Sequence, residues 1–105
     1  MTETRTAIAV DKALKQRLQA GFVELTQELY PGEVSTVDGW MLLGWIESKG
    51  WLIDMTHYPS TMQWDIYLVD DKGNIGKARL CDRYLCLLQA LIKLLTAMKG
   101  VDGES

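Results

Sequence analysis

Histidine, cysteine and proline are scarce in this 105-residue chain: one histidine (His57), two cysteines (Cys81 and Cys86) and two prolines (Pro31 and Pro59). So few imidazoles and thiols exclude a histidine-based metal centre and a disulfide framework, and no metal or cofactor is expected. Cys81 and Cys86 lie five residues apart, which on a helix is about 140° of rotation, so they do not bond to each other there. Free thiols fit a reducing cytoplasm. Charge of one sign is also lacking. Eleven basic and 14 acidic residues leave a net charge of -3, without the concentrated basic excess of a nucleic-acid binder. The most apolar stretch, Leu85 to Met98, is interrupted by Gln89, Lys93 and Thr96. It falls short of the ~20 apolar residues that a bilayer span needs, so no membrane is expected. Residues 1–6 are polar and lack the basic start and apolar run of a secretory signal.

What is present alternates between two periods. Val10, Leu14, Leu18, Phe22, Leu25 and Leu29 recur at spacings of three and four, which predicts an amphipathic helix over 11–30. Asp11 is a candidate cap, with a start nearer Ala7 as the alternative, and Pro31-Gly32 is the stop. Gly21 either admits a close neighbour or is simply tolerated. A second helix is expected over 36–49, opened by Ser35 and Asp38 in capping-box spacing and closed by Gly50. The period then becomes two. Trp51 to Tyr58 and Met62 to Val69 read as strands, and Ile75 to Leu80 as a third, weakened by Gly76. Asp70-Asp71-Lys72-Gly73-Asn74 is the hairpin turn between the last two. A final helix is expected from Asp82 to Lys99, stopped by Gly100. The order α-α-β-β-β-α predicts a single α+β domain over 1–105, a three-stranded antiparallel sheet packed with about three helices. Residues 1–6 and 101–105 are expected as frayed tails.

The second and last helices are too apolar for a helix that lies on a sheet with one stripe. Val37, Trp40, Met41, Leu42, Leu43, Trp45 and Ile46 cover most of the circumference of one, and Leu85, Leu87, Leu88, Leu91, Leu94 and Leu95 most of the other. Either the last helix is pressed between the sheet and other helices, or part of both faces buries against another chain. The second alternative leads, and it predicts a protein interface or homo-oligomer through Trp40, Met41, Trp45, Leu88 and Leu95. Trp40 and Trp45 stand about 140° apart on their helix, so one of them points away from the core.

Catalytic constellations are missing. His57 sits near Asp54 and Asp65 in sequence, but strand alternation puts Asp54 on the opposite face, and no serine or cysteine stands in a nucleophile elbow. Gly73-Asn74-Ile75-Gly76-Lys77 has a phosphate-loop look without its hydroxyl residue or its helix. Lys72, Lys77, Arg79 and Arg83 form the densest basic run, and Lys77 and Arg79 share a strand face. The chain is therefore not expected to be an enzyme. The alternative is a small-ligand or nucleotide-binding protein, with a pocket between sheet and helices at Tyr58, Trp64, Tyr67, Lys77 and Arg79.

Residues 38–98 resemble the small phage-encoded αββα sandwich proteins of unknown function. The resemblance rests on Trp40 and Ile46 on a helix, Trp64-Asp65-Ile66 on a strand, Gly73 and Gly76-Lys77-Ala78 around the hairpin, and Tyr84-Leu85-Cys86-Leu87-Leu88-Gln89-Ala90-Leu91 opening the last helix. It implies a mobile-element accessory protein that acts by binding, and inhibiting, something in a host cell. It carries over no catalytic residues.

Overall fold

The computed structural model describes the backbone of residues 2–34 and 37–104, and the side chains of 12–34 and 37–100. Along the described chain run α1 (Thr2–Leu29), α2 (Gly39–Lys49), β1 (Leu52–Tyr58), β2 (Gln63–Val69), β3 (Ile75–Leu80) and α3 (Arg83–Glu104). The α+β order and the three-stranded antiparallel sheet are those expected from the alternating periods. The strands form a meander in the order β1-β2-β3.

Local chemistry explains most boundaries. Asp38 is itself the N-cap of α2, its carboxylate accepting from the Trp40 and Met41 amides, so this helix starts at Gly39 and not at 36. Ser35, the expected partner in a capping box, lies outside the described residues. Gly50 takes the left-handed conformation at φ 74° and closes α2 as expected. Asp82 caps α3 by accepting from the Leu85 amide. Two helices run further than expected. α1 begins at Thr2, which leaves Asp11 inside the helix. α3 continues through Gly100 and Gly103 to Glu104, since each glycine costs a helix only ~1 kcal/mol and no proline follows Gly100. Residues 2–6 and 101–104, expected as frayed tails, carry these helices on. Met1 and Ser105 lie outside the described residues.

The register sorts the sheet into two faces. Ile53, Leu68 and Gly76 form one row across the strands, Met55, Ile66 and Ala78 the next, and His57, Trp64 and Leu80 the third. This face lies under α3, whose Leu85, Cys86, Leu87, Leu88, Ala90, Leu91, Leu94 and Leu95 are all buried. The Cys86 thiol donates to the carbonyls of Trp64 and Ala78, each at 3.3 Å, and burial raises its pKa. α1 covers the far side of α3 through Leu14, Leu18, Phe22, Leu25 and Leu29. Sheet, α3 and α1 are thus three layers, and α3 is the middle one. The apolar girth of α3 is consumed inside the chain, which settles that half of the choice posed by the sequence.

Gly76 sets the spacing of the first two layers. A Cβ there would lie 2.2 Å from the Ala90 carbonyl oxygen and 2.5 Å from the Leu94 amide nitrogen. Gly21 is different: its Cβ would meet only Ile92 Cδ1, at 3.6 Å, an ordinary contact, so the glycine is tolerated and not required. Gly76→Ala is therefore expected to lower the unfolding free energy by about 3 kcal/mol, and Gly21→Ala to raise it by ~0.5–1 kcal/mol. Urea melts of both variants check the contrast, which fails if the two changes have the same sign.

The β2–β3 turn is organised by Asp70. Its carboxylate accepts from the Lys72 amide at 2.9 Å, the Asn74 amide at 2.7 Å and Asn74 Nδ2 at 2.8 Å. Burial pushes its pKa up, but the bonds from Asn74, Lys72 and Gly73 together outweigh that and hold it below the usual aspartate value. A folded pKa below the unfolded one stabilises above the unfolded aspartate value of about 3.9, and the contribution is lost as pH falls through the folded value. Asp70→Ala is expected to cost about 2 kcal/mol at neutral pH and to flatten the loss of stability below pH ~4. Urea midpoints of the two chains against pH measure both effects.

Candidate interaction surfaces

α2 divides its residues between core and solvent. Leu42 and Ile46 are wholly buried, while Trp40 is 81% exposed and Met41 61% exposed. The spacing of Leu42 and Ile46 by one turn fixes the inward face, and that places Trp40, Gly44, Glu47 and Ser48 outward. The Trp40 indole stands between two grooves. One, about 340 Å³, is lined by Gly39, Leu43, Met55, Arg83, Tyr84 and Leu87; the other, about 300 Å³, by Glu33, Val34, Met41, Leu42, Gly44 and Trp45. Tyr84 braces the base of this ridge. Its hydroxyl donates to the Val37 carbonyl and accepts from Gln19 Nε2 at 2.9 Å.

Of the five residues expected at an interface, Trp40 and Met41 are surface residues, Trp45 is half-buried, and Leu88 and Leu95 are not at the surface. Leu88 and Leu95 are fully buried between the sheet and α1, so they are core residues, corrected by the middle position of α3. Trp45 is the inward member of the tryptophan pair. It meets Trp51 edge-on at 5.3 Å, Tyr30 at 5.7 Å and Phe22 at 6.1 Å, and it pins α2 to α1 and to the start of β1. Lys49 completes this cluster, 4.2 Å above the Tyr30 ring and ion-paired with Glu33, which also accepts from Trp45 Nε1. The Lys49 bond holds the Glu33 pKa below its usual value.

The outer face of the sheet carries a second surface. Its rows are Leu52, Val69 and Ile75; then Asp54, Tyr67 and Lys77; then Thr56, Asp65 and Arg79. Arg79 grips Asp65 with Nε at 2.7 Å from Oδ1 and Nη2 at 2.8 Å from Oδ2, and its guanidinium lies 5.4 Å from the Tyr58 ring centroid. This grip holds the Asp65 pKa below the usual aspartate range. A hollow of about 540 Å³ runs across the face. Tyr58, Tyr67, Lys77 and Arg79, named from sequence as candidate ligand residues, all line it. Trp64 does not: it is on the other face, between the His57 ring at 4.7 Å and the Arg83 guanidinium at 5.3 Å. The hollow opens on the outer face, and its walls also take in Ile66, Ala78 and, from α3, Lys93; the space directly between sheet and α3 is filled by the buried α3 side chains. The row of exposed Leu52 and Ile75 with half-buried Val69 between them is not visible in the sequence. Its signal is the register, because alternation shows which residues share a face only within one strand.

The remaining candidates do not assemble a reactive centre. His57 stacks near Trp64, and both Asp54 and Asp65 lie on the opposite sheet face. The glycines of Gly73-Asn74-Ile75-Gly76-Lys77 serve a turn, where Gly73 has φ 88°, and the seat of α3. No group of histidine, cysteine or acidic side chains suited to a metal ion occurs among the described residues, and no helix there is long and apolar enough to cross a membrane. Comparisons with protein-family models, curated proteins and solved structures give no match for this chain.

The two α2 tryptophans should respond oppositely to truncation. Trp40→Ala is expected to change unfolding free energy by less than ~0.5 kcal/mol, and Trp45→Ala to lower it by about 3 kcal/mol. Denaturant unfolding of each variant checks this, and similar costs at both sites would contradict the assignment of inward and outward indoles.

Proposed function

We propose that this chain is a non-catalytic protein-binding module whose Trp40–Met41 ridge docks on another protein. The observation that carries the reading is the 81% exposure of Trp40 on a helix whose opposite residues, Leu42 and Ile46, are wholly buried. The indole is thus presented on a seated element, and little ordering is left to oppose binding. Tryptophan is enriched among the residues that dominate interface energies. Burial of roughly 150–200 Å² of indole contributes about 4 kcal/mol before association costs. The grooves on either side fit a partner with apolar side chains to insert around the ridge, and Glu33 and Arg83 at their margins suit polar contacts at the rim. The exposed thiol of Cys81 suits a reducing compartment such as the cytoplasm. As a mobile-element accessory protein, the chain would use this ridge to occupy a host protein's surface.

The test is capture from cells of the native source with wild-type chain as bait, followed by binding measurements with the captured protein purified. Trp40→Ala is expected to weaken binding about 30-fold or more, and Met41→Ala less, with circular dichroism melts unchanged. Equal affinities for wild type and a folded Trp40→Ala variant would sink the proposal.

A further inference from the structure

We infer that the outer face of the sheet is a two-fold interface with a second copy of this chain. An antiparallel sheet that faces water shows polar side chains outward. Here one end of the face breaks that rule, with Leu52 57% exposed and Ile75 46% exposed on either side of Val69. The charges on the neighbouring row have a direction. Asp54 on β1 is acidic, Tyr67 on β2 is central, and Lys77 on β3 is basic. Asp54 and Lys77 are two strand spacings apart, roughly 10 Å, and they form no ion pair with each other within the chain. A two-fold axis lying between two such faces, along β2, brings each β1 opposite the other copy's β3. Each Asp54 then meets the partner's Lys77, each Leu52 meets the partner's Ile75, and Tyr67 meets itself. One patch thus supplies both halves of the contact, as a closed isologous interface requires. The arrangement places Asp65 near the axis, where its own Arg79 already neutralises it.

Three strands of this length span a footprint of roughly 300 Å², against ~800 Å² per partner for a standard interface. The pair is therefore weak, reversible and sensitive to salt, because its specificity comes from two exposed charge pairs.

Sedimentation velocity of the full chain, from micromolar to near-millimolar concentration at low salt, tests this. The wild type is expected to dimerise with a dissociation constant that rises as salt is added. Asp54→Lys and Lys77→Asp, both at exposed positions, should each weaken the dimer at least tenfold, and the double exchange should restore it. Trp40→Ala should leave it unchanged, which separates this interface from the α2 ridge. A strictly monomeric wild type would overturn the inference and give the hollow to some other occupant. So would single variants that dimerise like wild type, a double exchange that fails to restore the dimer, or a dimer lost on Trp40→Ala.

Discussion

The approach of α3 to β3 at Gly76 governs the rest of the structure. The helix backbone at Ala90 and Leu94 rests where a side chain would otherwise stand. That contact draws α3 down onto β2 and β3, so that its leucines fill the space above Ile66, Leu68 and Ala78. A helix seated that deeply offers its far side to α1, and both of its faces become apolar for reasons internal to the fold. At 105 residues the chain has little interior to spare, and a three-layer stack is an efficient use of it.

This division decides where the unsatisfied apolar surface lies. α3 spends its girth inside. α2 is anchored by Leu42, Ile46 and the aromatic cluster around Trp45, and it holds Trp40 and Met41 outward. The sheet, covered on one side only, keeps Leu52 and Ile75 open on the other. The two surfaces have different chemistry. The ridge on α2 is a large indole between grooves, suited to a partner with complementary shape. The sheet face carries the hollow of about 540 Å³, with Asp54 on β1 and Lys77 on β3.

Much of the fold was legible because its signals are local. Period two marked the strands to within a residue or so, Gly50 marked the end of α2, and Asp82 the start of α3. The 140° between Trp40 and Trp45 already required one indole to leave the core, and the buried pair Leu42 and Ile46 shows which. Leu88 and Leu95 were misread because the apolar circumference of a helix says how much must be covered and not by what. Cover from α1 and cover from a second chain look identical in the sequence. Gly76 was read as a weakness in β3, whereas its meaning lies in a helix that follows it in the chain and returns over it. The outer-face row of Leu52, Val69 and Ile75 needed the pairing of three strands before it existed as a surface.

The middle position of α3 is the claim on which these assignments rest, and native-state hydrogen exchange tests it most directly. Amides of residues 87–95 should exchange only through global unfolding, with free energies equal to the unfolding free energy from denaturant, and should be the slowest in the molecule. Amides on the open edge of β1 should exchange through smaller openings. Faster exchange along 87–95 than in β1 would contradict the three-layer account and return the α3 leucines to an exposed surface.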